Sequence, residues 1–380
     1  MTHMFVSCFA EFICGHQGMD GSQKKAWDMN FQIGFGDEQS RLSRLSNIGD
    51  PLEKLAAAVD FELFRPLLNE VFSNPNRKHR SGRPCWDYVL MFKILILRQL
   101  YNIADDNTEY LINDRLSFQR FLGLSLGSPV PDSKTIWLYK DRLAKSGKSK
   151  AIFDMFTDVL LSQGIISREG SIVDASFCDA PRQRNTRQEN ETLREGAIPD
   201  EWLAQDPKSK HKFAQKDVDA RWAKKNDETH YGYKDHVKID KDSKLILDYV
   251  VTDAAVHDSK EIVKLVDVKD AVLYADSAYV GVDLHAQIRE KCPSVDLRIH
   301  EKGYCNKPLS PRQKASNAEK SRIRCRVEHV FGHIQTSMGG PLVRCIGIVR
   351  ATAEIGLKKL AYNIHRYAYL AYARAVHSAQ

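Results

Sequence analysis

No two of the chain's eight cysteines are spaced as CxxC. They are scattered from Cys8 to Cys345, which excludes a zinc ribbon or a disulfide scaffold and fits a reducing cytosol. Long apolar runs are also lacking. The longest, Tyr88 to Leu97, is interrupted by Lys93 and is too short to span a bilayer. Met4 to Cys14 is apolar but has no basic lead-in, so it does not read as a signal peptide. Internal repeats are absent. Charge of one sign does not dominate: 56 Lys and Arg stand against 49 Asp and Glu, so a polyanionic partner has to be argued from where the charge lies. What is present is 43% hydrophobic residues in 380, enough for a sizeable core and two or three domains.

The patterning divides the chain. Residues 1–28, with Gly15, Gly18 and Gly21 spread through them, read as a flexible extension, which makes Met29 a candidate natural start. Residues 29–150 read as helical. Leu52, Leu55, Ala56 and Val59 recur at helical spacing, and Phe61 to Phe72 continues it. A basic turn at 76–84 precedes an apolar helix, Trp86 to Tyr101, hydrophobic all round and therefore buried. Shorter helical pieces cover 107–113 and 116–122, and Asp132 or Ser133 is placed to cap a helix carrying Lys134, Trp137, Lys140 and Arg142.

From 151 to 340 the pattern changes to alternating helix and strand. A helix at 152–163 is followed by a strand at 171–176 and a polar insertion at 181–230 containing Trp202, Phe213 and Trp222. Two strands, 233–239 and 245–252, are joined by a turn at 240–243. Asp258 and Glu261 have capping-box spacing before a helix to Val266. Strands at 271–275 and 295–299 flank a helix at 282–291, and one long helix is expected over 317–335. Residues 341–380 read as a basic helical tail. This order suits an α/β, ribonuclease-H-like core with a polar insertion, preceded by an all-helical domain and followed by a C-terminal helix.

Three acids stand out by position. Asp174 lies in a strand beside Ile172 and Val173, Asp276 ends another strand, and Glu328 lies on a helix. A carboxylate among apolar residues is costly unless it is paired or binds a cation. Converging carboxylates would repel one another and attract Mg²⁺, and two such ions can stabilise the attacking and leaving oxygens of a phosphoryl displacement. Taken singly, each acid is better explained as a cap, an ion pair or a solvated strand end.

Four segments, read together, resemble the DDE transposases of bacterial insertion sequences, most closely the insertion-sequence-five-like group. They are Ile172-Val173-Asp174-Ala175-Ser176, His230-Tyr231-Gly232-Tyr233-Lys234-Asp235-His236, Tyr274-Ala275-Asp276-Ser277-Ala278-Tyr279, and Ser321 to Gly332. The helical block from Gly82 to Arg142 resembles the N-terminal region of these enzymes. The resemblance implies a ribonuclease-H-like core with Asp174, Asp276 and Glu328 as catalytic, metal-holding residues for two Mg²⁺ or Mn²⁺ ions. The family's last motif sets Tyr, Arg, Glu and Lys on one helix face; here the positions hold Ser321, Arg324, Glu328 and Gln335, so two of the four depart.

The expected partner is double-stranded DNA, both the element's terminal inverted repeats and the target, bound by a homodimer or higher oligomer in the bacterial cytoplasm, associated with the nucleoid and not with a membrane. Eight Lys and Arg against three acids between 301 and 330, and six against one between 341 and 380, place positive charge around Glu328. Arg322, Arg324 and Arg326 are candidate phosphate contacts, with Lys234 and His236 near the substrate. Lys134, Lys140 and Arg142 would face DNA if the helical block reads the element ends, while a dimerisation role for that block stays open. Weaker candidates are Asp179 as a metal ligand and Cys325, His329 and His333 as zinc ligands. The competing functions are a metal-dependent nuclease without strand transfer and a non-catalytic, transposase-derived DNA-binding protein.

Overall fold

The computed structural model describes residues 36–378 except 74–84, 205–206, 226 and 305–307. The extension at 1–28, the candidate start at Met29 and the basic turn at 76–84 lie outside the described residues. The chain separates into two units, Met1–Ile48 and Gly49–Gln380. In the first, the described structure is helix α1 (Asp37–Ile48) with the residue before it.

The second unit opens with helices. These are α2 (Pro51–Ala58), α3 (Arg65–Phe72), α4 (Tyr88–Tyr101), α5 (Asp105–Asp114), α6 (Leu116–Leu122), α7 (Ser133–Lys145) and α8 (Ser149–Ser162). Their starts follow from local chemistry. Asp50 accepts from the Leu52 amide ahead of Pro51, Asp87 from Leu90 and Asp132 from Thr135, so each supplies an orphan amide of the first turn. As its composition requires, α4 is buried on nearly every side, from Val89 to Gln99.

Six strands form one sheet: β1 (Ser171–Asp179), β2 (Arg221–Lys225), β3 (Glu228–Asp240), β4 (Ile246–Asp253), β5 (Val272–Ala275) and β6 (Asp296–Ile299). β3 runs antiparallel to β1 on one edge and to β4 and β2 on the other. On its far side β1 pairs parallel with β5, and β5 pairs parallel with β6. An antiparallel trio continued by two parallel strands is the ribonuclease-H-like arrangement. Gly232, at φ 147, sits where β1, β2 and β3 meet, and a Cβ there would collide with the Cys178 carbonyl.

Between β1 and β2 lie α9 (Arg187–Arg194), α10 (Asp200–Leu203) and α11 (Pro207–Ala214). The insertion is thus more than a linker. Trp202 is 1% exposed and its indole N–H donates to Glu189 Oε1 at 2.7 Å, so it is a packing residue and offers no stacking surface. Burial alone would raise the Glu189 carboxyl, but hydrogen bonds from the Thr186 amide, Trp202 and Lys212 outweigh it and hold it at about 2. The expected capping box at Asp258 does not form: His257 caps a short 3-10 turn, Asp258 pairs with Lys234, and α12 (Ile262–Leu265) follows, before α13 (Val282–Lys291). The long helix expected over 317–335 is two, α14 (Pro311–Arg324) and α15 (Arg326–Ser337), parted at Cys325.

The last helix, α16 (Ile348–Ser378), runs 31 residues through the middle of the unit. The 341–380 segment is therefore not a basic tail laid on the outside. α16 packs on α2, α4, α7, α8 and β4, and Gly356 lets it approach the Tyr249 hydroxyl where a Cβ would clash. Its charges are largely structural: Lys359 is 1% exposed and pairs with buried Asp235, Arg350 holds Asp141 at 2.7 Å, and Arg366 donates to the Ser243 carbonyl at 2.9 Å. Asn363, fully buried, binds both backbone groups of Ile246: its Oδ1 accepts from the amide at 2.9 Å and its Nδ2 donates to the carbonyl at 2.7 Å. Replacing Asn363 by Ala strands both groups, and we expect a loss of about 2–4 kcal/mol in urea unfolding, each unsatisfied buried group costing about 1–3 kcal/mol. A loss under about 1 kcal/mol would remove this contact from the account of how helix and sheet are joined.

Candidate active site

The site follows from strand register. Ile172 of β1 lies beside Tyr274 of β5, and Tyr274 beside Arg298 of β6. Carried two residues further, the same register sets Asp174 beside Asp276 and Asp276 beside His300. Side chains alternate along a strand, so Asp174 shares the face of Ile172, and Asp276 the face of Tyr274. Ile172 and Tyr274 both belong to the large core cluster that includes Val327 and Val330 of α15. The opposite face, with Val173, Leu273 and Ala275, packs on Leu265 and Ile288 of α12 and α13. Asp174, within β1, thus stands in a row with Asp276 and His300, which directly follow the ends of β5 and β6.

Helix α14 crosses this row. Asn317, Ser321 and Arg324 are spaced by four and three, so they share a face. His300 Nε2 lies 3.1 Å from the Asn317 carbonyl and 3.0 Å from Ser321 Oγ, and Arg324 Nη1 donates to Asp174 Oδ2 at 3.0 Å. The loop after β6 is stitched to α14 by Glu301 and Asn317, amide to Oδ1 at 3.0 Å and Nδ2 to carbonyl at 2.9 Å, and by Lys320 donating to the Ile299 carbonyl at 2.9 Å. Asp276 Oδ1 accepts from the Ser277 amide at 2.6 Å and lies 3.8 Å from His300 Nδ1.

The electrostatics match. Burial raises the Asp174 carboxyl above its ordinary value; the Ala175 amide and Arg324 oppose this, and Asp276 adds repulsion. Burial lowers His300 below its ordinary value. Paired carboxylates on adjoining strands form a hard, oxygen-rich donor set that a divalent cation fits, and Asp174 and Asp276 would hold it. Glu328 does not join them here: it is exposed on α15, beyond the break at Cys325, so Arg324 and Glu328 do not sit on one uninterrupted helix. Among the described residues no group of three His, Cys, Asp or Glu side chains converges as a metal site.

A family model described as a transposase DDE domain matches residues 166–364, more than half of the chain, and a second, described as a transposase domain, matches residues 40–142. The chain belongs to the DDE transposase family, and is of the insertion-sequence type. It is also similar to a piggyBac transposase, seen by cryo-EM in a synaptic complex with hairpin DNA, with 10% identity over 87% of this chain and 77% of that one, at a TM-score of 0.45. Among the described residues no helix is long and apolar enough to cross a membrane.

Other transposase residues singled out from the sequence fall in different places. Lys234 and His236 need correcting. They pair with Phe177 and Ala175, so they occupy the sheet face opposite Asp174. Lys234 is spent on the Val256 carbonyl and Asp258, while His236 is 1% exposed and bonded to Thr252 Oγ1 at 3.1 Å, so neither presents a cation to phosphate. Asp179 is likewise off the Asp174 face and binds His230. Arg326 is tied to the Lys241 carbonyl at 2.7 Å and to Asp242 at 2.9 Å, leaving Arg322 as the exposed member of the arginine trio. On α7, Lys134 and Arg142 are exposed and Lys140 is held by Asp105 at 2.7 Å. Cys325 and His329 are exposed, and His333 stacks on His365 instead of meeting them. Sequence reasoning missed His300; its one signal was a polar residue directly after a strand, at the same offset as Asp276.

His236 makes a test of the fold around the site. Burial pushes it down to about 4, from 6.5 when free. A depressed base stabilises the fold above pH 6.5, and that stability is lost as pH falls through about 4. The two values imply about 3 kcal/mol. In His236→Phe the decline in stability between pH 6.5 and 4 should be shallower by roughly this amount, measured by urea unfolding across pH. Superimposable pH profiles for parent and variant would refute the assignment.

Proposed function

We propose that this transposase binds the terminal inverted repeats of its own element as a homodimer or higher oligomer, cuts the strand at each end and joins the freed ends to target DNA. The observation that carries the reading is the Asp174–Asp276 pair, adjacent on one face and faced by Arg324. Membership of the insertion-sequence-five-like group, supported by the four motifs, is part of the same proposal.

In the first step a water oxygen attacks the phosphorus at the element end. The P–O3′ bond breaks, the 3′ oxygen takes up a proton, and a 5′-phosphate is left behind. In the second step that 3′-hydroxyl oxygen attacks a target phosphodiester. It loses its proton to solvent, forms a new P–O3′ bond and releases the target's own 3′-hydroxyl. Divalent ions, Mg²⁺ or Mn²⁺, would supply charge stabilisation for the attacking and leaving oxygens when bound. The chain contributes placement: Asp174 and Asp276 mark the reacting position, Arg324 orients Asp174 and balances its charge, and no covalent nucleophile is needed. Glu328, exposed on α15, is the acid that the family's last motif adds to this pair. Arg322, with Lys134 and Arg142 on α7, contacts phosphates.

Asp276→Asn should lower end cleavage by about 10³-fold or more, equivalent to roughly 4 kcal/mol of lost stabilisation, while end binding stays within a few-fold. Labelled element ends with a supercoiled target provide the readout. Full cleavage in the variant sinks the assignment, and cleavage without joined products in the parent would make the protein a nuclease instead. For DNA binding, Arg322→Ala should reduce the slope of log affinity against log salt by about 1, the share of one phosphate contact. Arg326→Ala, whose guanidinium is already engaged, should leave the slope unchanged. Equal slopes in Arg322→Ala and parent would remove Arg322 from the interface.

A further inference from the structure

His300 belongs to none of the family motifs quoted above, yet it stands next to Asp276 in the row of strand ends. Its tautomer is set by what surrounds it. A carbonyl oxygen only accepts hydrogen bonds, so the 3.1 Å contact with the Asn317 carbonyl requires the proton to be on Nε2. Ser321 Oγ, 3.0 Å from the same nitrogen, lies within reach of the same proton. Nδ1 is then the ring nitrogen turned to Asp276. It is 3.8 Å from Asp276 Oδ1, too far for a hydrogen bond. An imidazole nitrogen and a carboxylate oxygen face each other across that gap without bonding directly. Two metal–ligand bonds of about 2.1 Å each can bridge it, as bonds from imidazole nitrogen and carboxylate oxygen commonly do.

We propose that His300 Nδ1 is a ligand to the cation held at Asp276, so that the centre is a mixed nitrogen–oxygen site and favours Mn²⁺ over Mg²⁺. This rests on reading Asp174 and Asp276 as cation-holding carboxylates. The selectivity follows because Mg²⁺ takes hard oxygen ligands and keeps its waters, whereas imidazole suits the transition metals. The Asn317 carbonyl is the outer partner that orients the ring, the arrangement commonly seen for metal-binding histidine. Ser321, where the family has Tyr, shares that outer role, because its hydroxyl meets the same nitrogen.

The test uses the full chain and Mn²⁺ alone, without DNA. Pulsed electron paramagnetic resonance reads nitrogen directly bonded to the ion, and continuous-wave titration reads how much is bound. The parent should show ¹⁴N coupling that changes to ¹⁵N on histidine-selective labelling. His300→Gln keeps an amide donor for the Asn317 carbonyl but has no Nδ1 lone pair. It should lose the coupling and bind Mn²⁺ at least about tenfold more weakly, the lower end of what even an outer partner contributes. Mg²⁺ should also displace Mn²⁺ more readily from the variant. Bound Mn²⁺ that is lost in Asp276→Asn but shows no nitrogen coupling overturns the proposal and leaves the carboxylate reading standing. Coupling that survives in His300→Gln, or that ignores the ¹⁵N label, overturns it as well. Failure of the parent to bind Mn²⁺ at all overturns both. Should His300→Gln not fold, the labelling arm on the parent decides alone.

Discussion

The parallel pairing of β1, β5 and β6 is the constraint on which the rest depends. A sheet places laterally paired residues side by side on one face, at a spacing of about 4.8 Å between strands. Once Ile172 is beside Tyr274 and Tyr274 beside Arg298, Asp174, Asp276 and His300 have no other arrangement available. A shift of one residue in any of these strands would turn its member of the row toward α12 and α13. The apolar residues just before the row hold that register, because Ile172, Val173, Leu273 and Ala275 are all buried.

Two helices make that row into a site. α14 lays Asn317, Ser321 and Arg324 along it, and the arginine meets Asp174, whose carboxyl burial raises. α16 does its work from below, binding the sheet edge through Asn363 and placing Lys359 against Asp235 in the interior. Much of the positive charge that invites comparison with a DNA-binding surface is therefore consumed inside the protein. Buried ion pairs of this kind add little net stability but break the fold when one partner is lost. Arg322, Lys134 and Arg142 remain on the outside.

The legible part of the fold was the part with strong local pattern. Apolar periodicity anticipated α4, α8, α13 and the core of every strand except β2. Capping chemistry anticipated Asp132 but misread Asp258, whose carboxylate found Lys234 across the sheet in preference to its own helix. The insertion was read as polar because most of it is, and a single buried tryptophan bonded to Glu189 organises it. The division at Cys325 had no sequence cue, since the residues on both sides are good helix formers. Arg324 and Arg326 are held by different partners, Asp174 and Asp242.

By itself the sequence determined the family, the order of helix and strand outside the insertion, and where two aspartates fall in that order, because these rest on residue identity and on spacing along the chain. The tertiary structure alone decided which cations remain exposed, that Lys234 and His236 lie behind the sheet, that Glu328 stands apart from the acids, and that His300 stands among them. Those depend on strand register and helix packing between residues far apart in the chain, which no local pattern encodes.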